Sequence, residues 1–394
     1  MPARAGSRWQ RSGTTRTVSA SSNGLGPDGA RLAIVHDQAA DLGGHERAVQ
    51  ALLDHYPAAT AFAPHFVPTN RPAGQAASWD GRSRPIGRGG RRRAFLAPLY
   101  ARRVARAPLG DPSVVLSVTQ NGWSLAAPVA PRAVHLCYSA GLPPHLYGHS
   151  RRYLSDEPWP LRPLLAAALP ALRAYDRSLM RRPGRVIANS SFSARELERV
   201  HGRAAEVVYP PVRTDFFTPG AAPRRRFLVV ARLVAFKRVD LVVEAFRGLE
   251  EELVIAGGGP MLTKLRRTAP SNVRFMGPCD DEQLLDLYRS SRALICPSLE
   301  TFGVAMAEAH ACGTPVIALR AGGALEIVSH GRTGILLDRA APRSIADAVR
   351  AVASDPLDMR ACRESAQRFS QARFAEAIDR ILRQELASQR APRR

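Results

Sequence analysis

The chain has 394 residues, 45% of them hydrophobic and 23% charged, an ordinary globular composition with length enough for two domains. No apolar run approaches the roughly 20 residues that span a bilayer; the leucine-rich stretch 161–172 is broken by Arg162, Pro163 and Pro170. The formal charge of +22 favours anionic partners, meaning nucleic acid, nucleoside diphosphates or an anionic membrane surface.

Residues 1–29 are rich in Ser, Thr, Gly and Arg and carry almost no large apolar side chain, so they are expected to form a disordered extension. Order should begin at Arg31-Leu-Ala-Ile-Val-His36, an apolar run that suits a buried parallel strand. Gly43-Gly44 follows, then a helical pattern over 45–56 with Val49, Leu52 and Leu53 on one stripe. Segment 71–90, rich in Gly and Arg, reads as a surface loop. Further strands are expected at 114–118, 134–138, 186–188 and 207–209, with a long basic helix at 161–180 before the third. Pro210-Pro211 then marks a stiff junction between an N-terminal domain (30–211) and a C-terminal one (212–370).

A second alternating series follows. Strands are expected at 227–230, 253–256, 273–276, 294–296 and 316–319, and helices at 238–249 and after Gly259-Pro260. Two successive series of this kind predict an α/β protein with two doubly wound, Rossmann-like domains facing across a cleft. The last helical stretch, 371–390, is expected to fold back onto the first domain. The five cysteines make no C-x-x-C pair and read as buried hydrophobes in a reducing compartment. The basic N-terminus lacks an apolar segment, so a cytoplasmic location is expected. All the basic residues except Lys237 and Lys264 are arginines, a bias that a GC-rich genome explains as well as function does.

Ligands of doubly wound sheets sit at the carboxyl ends of strands, near helix N-termini. Three such ends carry suggestive residues. Arg232 and Lys237, one at a strand end and one at a helix start, could grip both phosphates of a diphosphate and stabilise its departure. Gly257-Gly258-Gly259-Pro260 would let backbone amides approach a ligand closely, although a tight turn explains the same glycines. In Glu300-Thr-Phe302-Gly303-Val304-x-x-x-Glu308 the amides of Phe302, Gly303 and Val304 would open a helix toward phosphate or sugar oxygens. Glu308, two turns in, could reach a ribose diol.

Taken in this order, these residues resemble the group 1 glycosyltransferases, retaining enzymes of the GT-B fold. The likeness extends through Ile34-Val-His36-Asp37, Gly43-Gly44-His-Glu46-Arg47, Ala188-Asn189-Ser190, Tyr209-Pro-Pro-Val212, Gly313-Thr-Pro315 and Gly322-Gly323-Ala-Leu-Glu326. Within the group it is most similar to the mannosyltransferase-like enzymes of O-antigen and exopolysaccharide assembly. The resemblance implies that Arg232 and Lys237 hold the donor diphosphate, Glu308 the ribose and Glu300 the donor sugar. Phe302, Gly303 and Val304 would add amides, Gly257 and Gly258 would line the donor site, and Gly43 and Gly44 would approach the diphosphate from the opposite domain. It also implies hexose transfer, with mannose one candidate, from a nucleotide sugar to a glycan or lipid-linked acceptor without metal or other cofactor. No Asp-x-Asp occurs in the sequence.

One departure stands out. Where related enzymes carry a His at the end of a first-domain strand, this chain has Ala140. Loss of such a contact costs on the order of 10² in rate, so a catalytically impaired nucleotide-sugar-binding protein is the alternative reading. His36, Tyr138, His145 and His149 are the candidate substitutes. His45, beside the glycine pair, stands where a small residue is usual. The helix at 161–180 sets Leu164, Leu165, Ala168, Leu172, Tyr175 and Leu179 beside Arg162, Arg173, Arg177, Arg181 and Arg182. With the arginine-rich loop 81–93 it is a candidate for docking on the cytoplasmic leaflet; a helix packed on its own domain with a solvated arginine face is the alternative. Nucleic acid is not an expected partner, because no recognition module accompanies the charge.

Overall fold

The computed structural model describes residues 29–37, 44–63, 95, 97–148, 150–155 and 158–390. Residues 1–28, Gly43, the 71–90 loop with its continuation to Arg93, and His149 lie outside the described residues. Strands β1 (Leu32–His36), β2 (Thr60–Phe62), β3 (Val114–Thr119), β4 (Val134–Ser139), β5 (Arg185–Ala188) and β6 (Glu206–Val207) form the first sheet. Their order is β2-β1-β3-β4-β5-β6, all parallel. The second sheet holds β7 (Arg226–Val230), β8 (Glu252–Ala256), β9 (Val273–Gly277), β10 (Ser291–Cys296), β11 (Val316–Leu319) and β12 (Gly334–Leu337). It is also parallel, in the order β12-β11-β10-β7-β8-β9.

Helices α1 (Gly44–His55), α2 (Ala97–Val104), α3 (Ser150–Ser155), α4 (Arg162–Met180) and α5 (Ser191–His201) accompany the first sheet. The second has α6 (Val239–Ala245), α7 (Leu262–Thr268), α8 (Asp281–Arg289), α9 (Val304–Ala311), α10 (Ala324–Ile327), α11 (Pro342–Ser354) and α12 (Met359–Ala366). α13 (Gln371–Arg390) ends the described chain. Helices cover both faces of each sheet, which is why β1, β3 and β4 are mostly apolar and buried along their whole length. The α/β, doubly wound expectation holds.

Some elements differ from the sequence reading. β2 and β12 were not anticipated: both are short edge strands, formed by pairing with β1 and β11 rather than by a long apolar run. β6 ends at Val207, the Val208 amide still donates to the Ala188 carbonyl, and Pro210 and Pro211 have no amide to extend the ladder further. The helix expected from Arg238 begins at Val239, since Arg238 takes a left-handed φ of 53°.

α13 packs against the first sheet. Phe374, Ile378, Ile381 and Leu382 share one core with Leu32, Ile34, Leu116 and Leu136, and His55 at the end of α1 and Tyr56 just after it both bond Asp379. The outward crossing at Val212 pairs with the return crossing at Ser370, and the Val212 amide donates to the Phe369 carbonyl at 2.8 Å. The two halves are therefore joined by neighbouring segments.

α4 is amphipathic only at its C-terminal end, where Asp176, Leu179 and Met180 are buried. There the Tyr147 hydroxyl donates to Asp176 Oδ2 at 3.0 Å. Desolvation pushes the Asp176 carboxyl up to about 7 and the neighbouring His201 imidazole down to about 4, so this pair, 3.4 Å apart, is held largely uncharged near neutrality. A carboxyl whose folded pKa is raised holds its proton more tightly in the folded state. Its contribution is present at low pH and is lost as pH climbs through about 7. Asp176→Asn should therefore gain on the parent in thermal or urea unfolding as pH rises, by roughly 1 kcal/mol per unit between about pH 4 and 7.

Candidate active site

The order of the second sheet reverses between β7 and β10, the switch point where such sheets take ligands. The residues following those two strands are the ones the sequence singled out. Arg232, just past β7, is exposed, and no ion pair holds it among the described residues. Lys237 lies five residues on. Its Nζ donates to both oxygens of Glu300 at 2.6 Å, and the Ser298 hydroxyl donates to Oε1 at 2.7 Å. Lys237 and Glu300, assigned separately to diphosphate and sugar, are thus one charge-assisted unit beside an uncommitted guanidinium.

The glycines hold these loops together by close approach. A Cβ at Gly257 would overlap the Ala231 carbonyl next to Arg232, and the Gly257 amide already donates to the Gly277 carbonyl at 2.7 Å. Gly257 therefore seats the Arg232 loop by close backbone approach. Gly258 packs on Pro278 and accepts the Leu233 amide. A Cβ at Gly323 would overlap the Phe302 backbone, and the Gly323 amide donates to the Glu300 carbonyl at 2.9 Å. Phe302 is buried against Tyr209 and Phe369, so its ring anchors the loop while Gly303, at φ 100°, turns the chain into α9.

α9 presents its N-terminus at Val304, and a Cβ built on Gly44 would lie 3.0 Å from Val304 Cγ2. The starts of α1 and α9 thus face each other across the crevice. Glu308 is 4% exposed on α9. Tyr288 donates its hydroxyl to Glu308 Oε2 at 2.9 Å, and Arg47 Nη1 lies 3.1 Å from Oε1. Desolvation raises the Glu308 pKa, opposed by Arg47, while the Glu308 charge raises that of Arg47.

On the opposite wall, β1 and β3 bracket the switch point of the first sheet. Asp37 is buried there and clamps the loop after β3. Its Oδ2 accepts from Thr119 Oγ1 and the amides of Gln120 and Asn121 at 2.6–2.9 Å, and its Oδ1 accepts from the Ser124 amide at 2.8 Å. His36 Nδ1 is 2.9 Å from the Val118 carbonyl, and its Nε2 is 3.7 Å from Glu46 Oε1. Burial alone would lower His36, but Glu46, Asp37 and the carbonyl outweigh it and raise the imidazole above its ordinary value. Burial lowers His45.

Ala140, at the end of β4, is buried, and the next residue, Gly141, reaches Thr301 beside Glu300. The departure from the family pattern therefore lies against the Glu300 loop. Of the candidate substitutes, Tyr138 donates to the Val208 carbonyl and packs on Phe374. His145 packs between Phe95 and Tyr153, with its pKa driven down to about 4 by burial. His36 alone of the described candidates sits at a switch point.

Two ties between the halves were missed. Ser190 donates to the Thr301 carbonyl at 2.6 Å, and Glu326 accepts the Ser191 and Phe192 amides that open α5 at 2.9 and 3.2 Å. Arg47 was recognised only as part of a motif. A cation in the first turn of a helix opposes its dipole, and that is the signal that would have found it. Gly323→Ala should displace the 300–302 loop and cost about 1–3 kcal/mol, read as a melting temperature lower by several degrees. Gly248→Ala, with open space around it, should leave the melting temperature nearly unchanged.

Comparison with known proteins places this geometry. Residues 213–372 match the family described as Glycosyl transferases group 1. D-inositol 3-phosphate glycosyltransferase 1 of Catenulispora acidiphila is 32% identical over 251 residues, 55% of this chain and 60% of that protein. The Mycolicibacterium smegmatis D-inositol 3-phosphate glycosyltransferase is 30% identical over 243 residues, 54% and 55% of the two chains. The chain thus spans somewhat over half the length of the curated relatives it matches, and their names are not those of mannosyltransferases. Among solved structures, Anabaena HepE in complex with UDP and glucose superposes with a TM-score of 0.70 at 19% identity, over 90% of this chain and 99% of that one. Sucrose-phosphate synthase of Thermosynechococcus elongatus gives 0.74 at 17% identity, over 91% and 100%. The chain has the GT-B fold, and its C-terminal half, through residue 372, is similar to the group 1 glycosyl transferases.

Proposed function

We propose that the chain is a retaining, metal-independent glycosyltransferase that moves a hexose from a nucleoside-diphosphate sugar to a glycan or lipid-linked acceptor. The observation that carries this is the convergence of Arg232, the Lys237–Glu300 pair, the start of α9 and Glu308 at one switch point, opposite the start of α1. Arg232 would meet the diphosphate, with Lys237 shared between it and Glu300. The first amides of α9 would add the favourable end of a helix dipole, and Glu308 would accept the ribose hydroxyls. As the bond from the anomeric carbon to the phosphate oxygen breaks, the acceptor oxygen bonds that carbon on the same face. The acceptor's proton passes to the departing diphosphate, whose charge Arg232 and Lys237 neutralise.

The UDP and glucose bound in HepE make UDP-sugars the first donors to test, with mannose donors next. Inositol phosphate is a second acceptor class, favoured by the names of the curated relatives. Ala140 favours a second reading, a nucleotide-sugar binder without turnover. A panel of nucleotide sugars separates the two: transfer or donor hydrolysis supports the enzyme, and tight binding without turnover supports the binder. In the active protein Glu308→Ala should raise the donor KM by about 10-fold or more. Arg232→Ala should lower kcat on the order of 10²-fold. Parental kinetics in both variants would displace the donor from this crevice.

Docking on an anionic bilayer belongs to the same proposal. Trp159, Leu161 and Leu164 are exposed at the start of α4, and Arg177 and Arg181 are exposed farther along. Arg173 and Arg182 bond the Leu146 and Ala127 carbonyls, although Arg182 is also exposed. Among the described residues no helix is long and apolar enough to cross a membrane. Binding to phosphatidylglycerol vesicles should fall with salt and weaken about 10-fold or more in Trp159→Ala/Leu164→Ala, measured by co-sedimentation. Salt-insensitive or undiminished binding would remove this surface.

A further inference from the structure

Arg47 belongs to the first half of the chain, and all its charged partners belong to the second. Its guanidinium reaches Asp281 Oδ1 at 2.8 Å and Glu308 Oε1 at 3.1 Å and lies 6.0 Å from the centre of the Phe217 ring. Asp281 is held from its other oxygen by Arg213 at 2.6 Å. Glu308 is held from its other oxygen by Tyr288. The result is a lattice of two cations and two carboxylates spanning the crevice, with Arg47 the only member contributed by α1.

Its position is costly without those partners. Arg47 lies in the first turn of α1, where the helix dipole opposes a positive charge, and its side chain is mostly buried. Glu308, in turn, is a carboxylate removed from water, which is strongly unfavourable unless paired. The Tyr288 hydroxyl donates to Oε2 and Arg47 is ion-paired at Oε1, and a carboxylate oxygen has room for a further donor. A vicinal diol could therefore add to the carboxylate without displacing Arg47 or Tyr288.

We propose that Arg47 is a donor-positioning residue supplied across the crevice: it pairs with Glu308 and holds it aimed only while the two sheets are closed on each other, so that nucleoside binding and closure are one event. The inference rests on the reading that Glu308 receives the ribose. When the halves separate, α1 withdraws Arg47, and Glu308 is left with the Tyr288 hydroxyl as its hydrogen-bond donor. The charged and titratable groups facing Glu308 are then Arg213, Asp281, Tyr288 and Cys312. Desolvation already outweighs Arg47 in raising the Glu308 pKa, and without Arg47 it is opposed less, so the carboxyl takes up a proton at still higher pH. A protonated Glu308 offers one acceptor fewer to the diol.

The test uses the full chain, Arg47→Gln and Arg47→Lys, with UDP-sugar binding and turnover followed from pH 6 to 8 and small-angle scattering recorded without donor. Arg47→Gln should raise the donor KM at least 10-fold while kcat falls less than 3-fold, with the KM defect larger at pH 6 than at pH 8. Arg47→Lys should recover much of the loss. Scattering should report a larger radius of gyration for Arg47→Gln. A pH-independent defect, or a kcat loss with KM unchanged, would overturn the proposal, as would an unaltered radius. Should Arg47→Gln fail to fold, Asp281→Asn, which loosens the guanidinium's other anchor, must show the same KM and pH pattern in weaker form, or the proposal falls. Failure of the parent to bind any nucleotide sugar would overturn the donor reading. The scattering arm, which needs no donor, would still judge the closure role separately.

Discussion

Glu308 is a carboxylate drawn out of water where the two halves meet, Glu300 is a partly buried one, and each is met by a cation. A charge taken into a protein interior costs several kcal/mol unless its partner and hydrogen bonds are in place. Lys237 answers Glu300 from the same domain, with Ser298 completing the shell. Arg47 answers Glu308 from the opposite domain, with Tyr288 completing that one. One carboxylate is thus satisfied within its domain, whereas the other is satisfied through the relative placement of the two sheets. Arg232, which follows β7 at the switch point, is exposed and has no ion pair among the described residues, so in the proposed function it is the cation left to meet a diphosphate.

The loops bearing these groups carry little regular structure, so something else fixes them. Backbone-to-backbone contact does it. The 257–259 turn is pressed onto the Arg232 loop, and the 322–323 turn is pressed onto the Glu300–Phe302 loop, leaving each catalytic candidate on a segment with little freedom to shift. Phe302 adds an aromatic anchor against Tyr209 and Phe369. On the first domain Asp37 does comparable work by gathering four donors from the loop after β3. Glu326 and Ser190 then tie the walls together at the start of α5. Rigid positioning of this kind is what electrostatic stabilisation of a leaving group requires.

α4 shows the limits of reading charge from a helical wheel. Its arginines look equivalent in sequence, yet Arg173 and Arg182 bond carbonyls of their own half, and of the two only Arg173 is partly buried, while Arg177 and Arg181 are exposed. The apolar stripe divides likewise. Leu179 is core, and Leu164 is exposed. Packing, not periodicity, separates the half that builds the domain from the half free to meet a surface.

Much of this was legible in the chain alone. Buried parallel strands have nearly continuous apolar runs, so β1, β3, β4, β7, β8 and β10 announced themselves, and the doubly wound class followed. Arg232, Lys237, Glu300 and Glu308 were legible because the ends of such strands are where ligands bind, whatever the rest of the sequence. The edge strands β2 and β12 escaped notice because hydrogen bonding to a neighbour, which no local pattern encodes, is what makes them strands. The joining of Lys237 to Glu300, the close contact of Gly257 with the Ala231 carbonyl, and the pairing of Arg47 with Glu308, 261 positions apart, were decided by tertiary structure. Each depends on two segments meeting in space, and the free energy that selects such a meeting resides in the contact, not in either segment by itself.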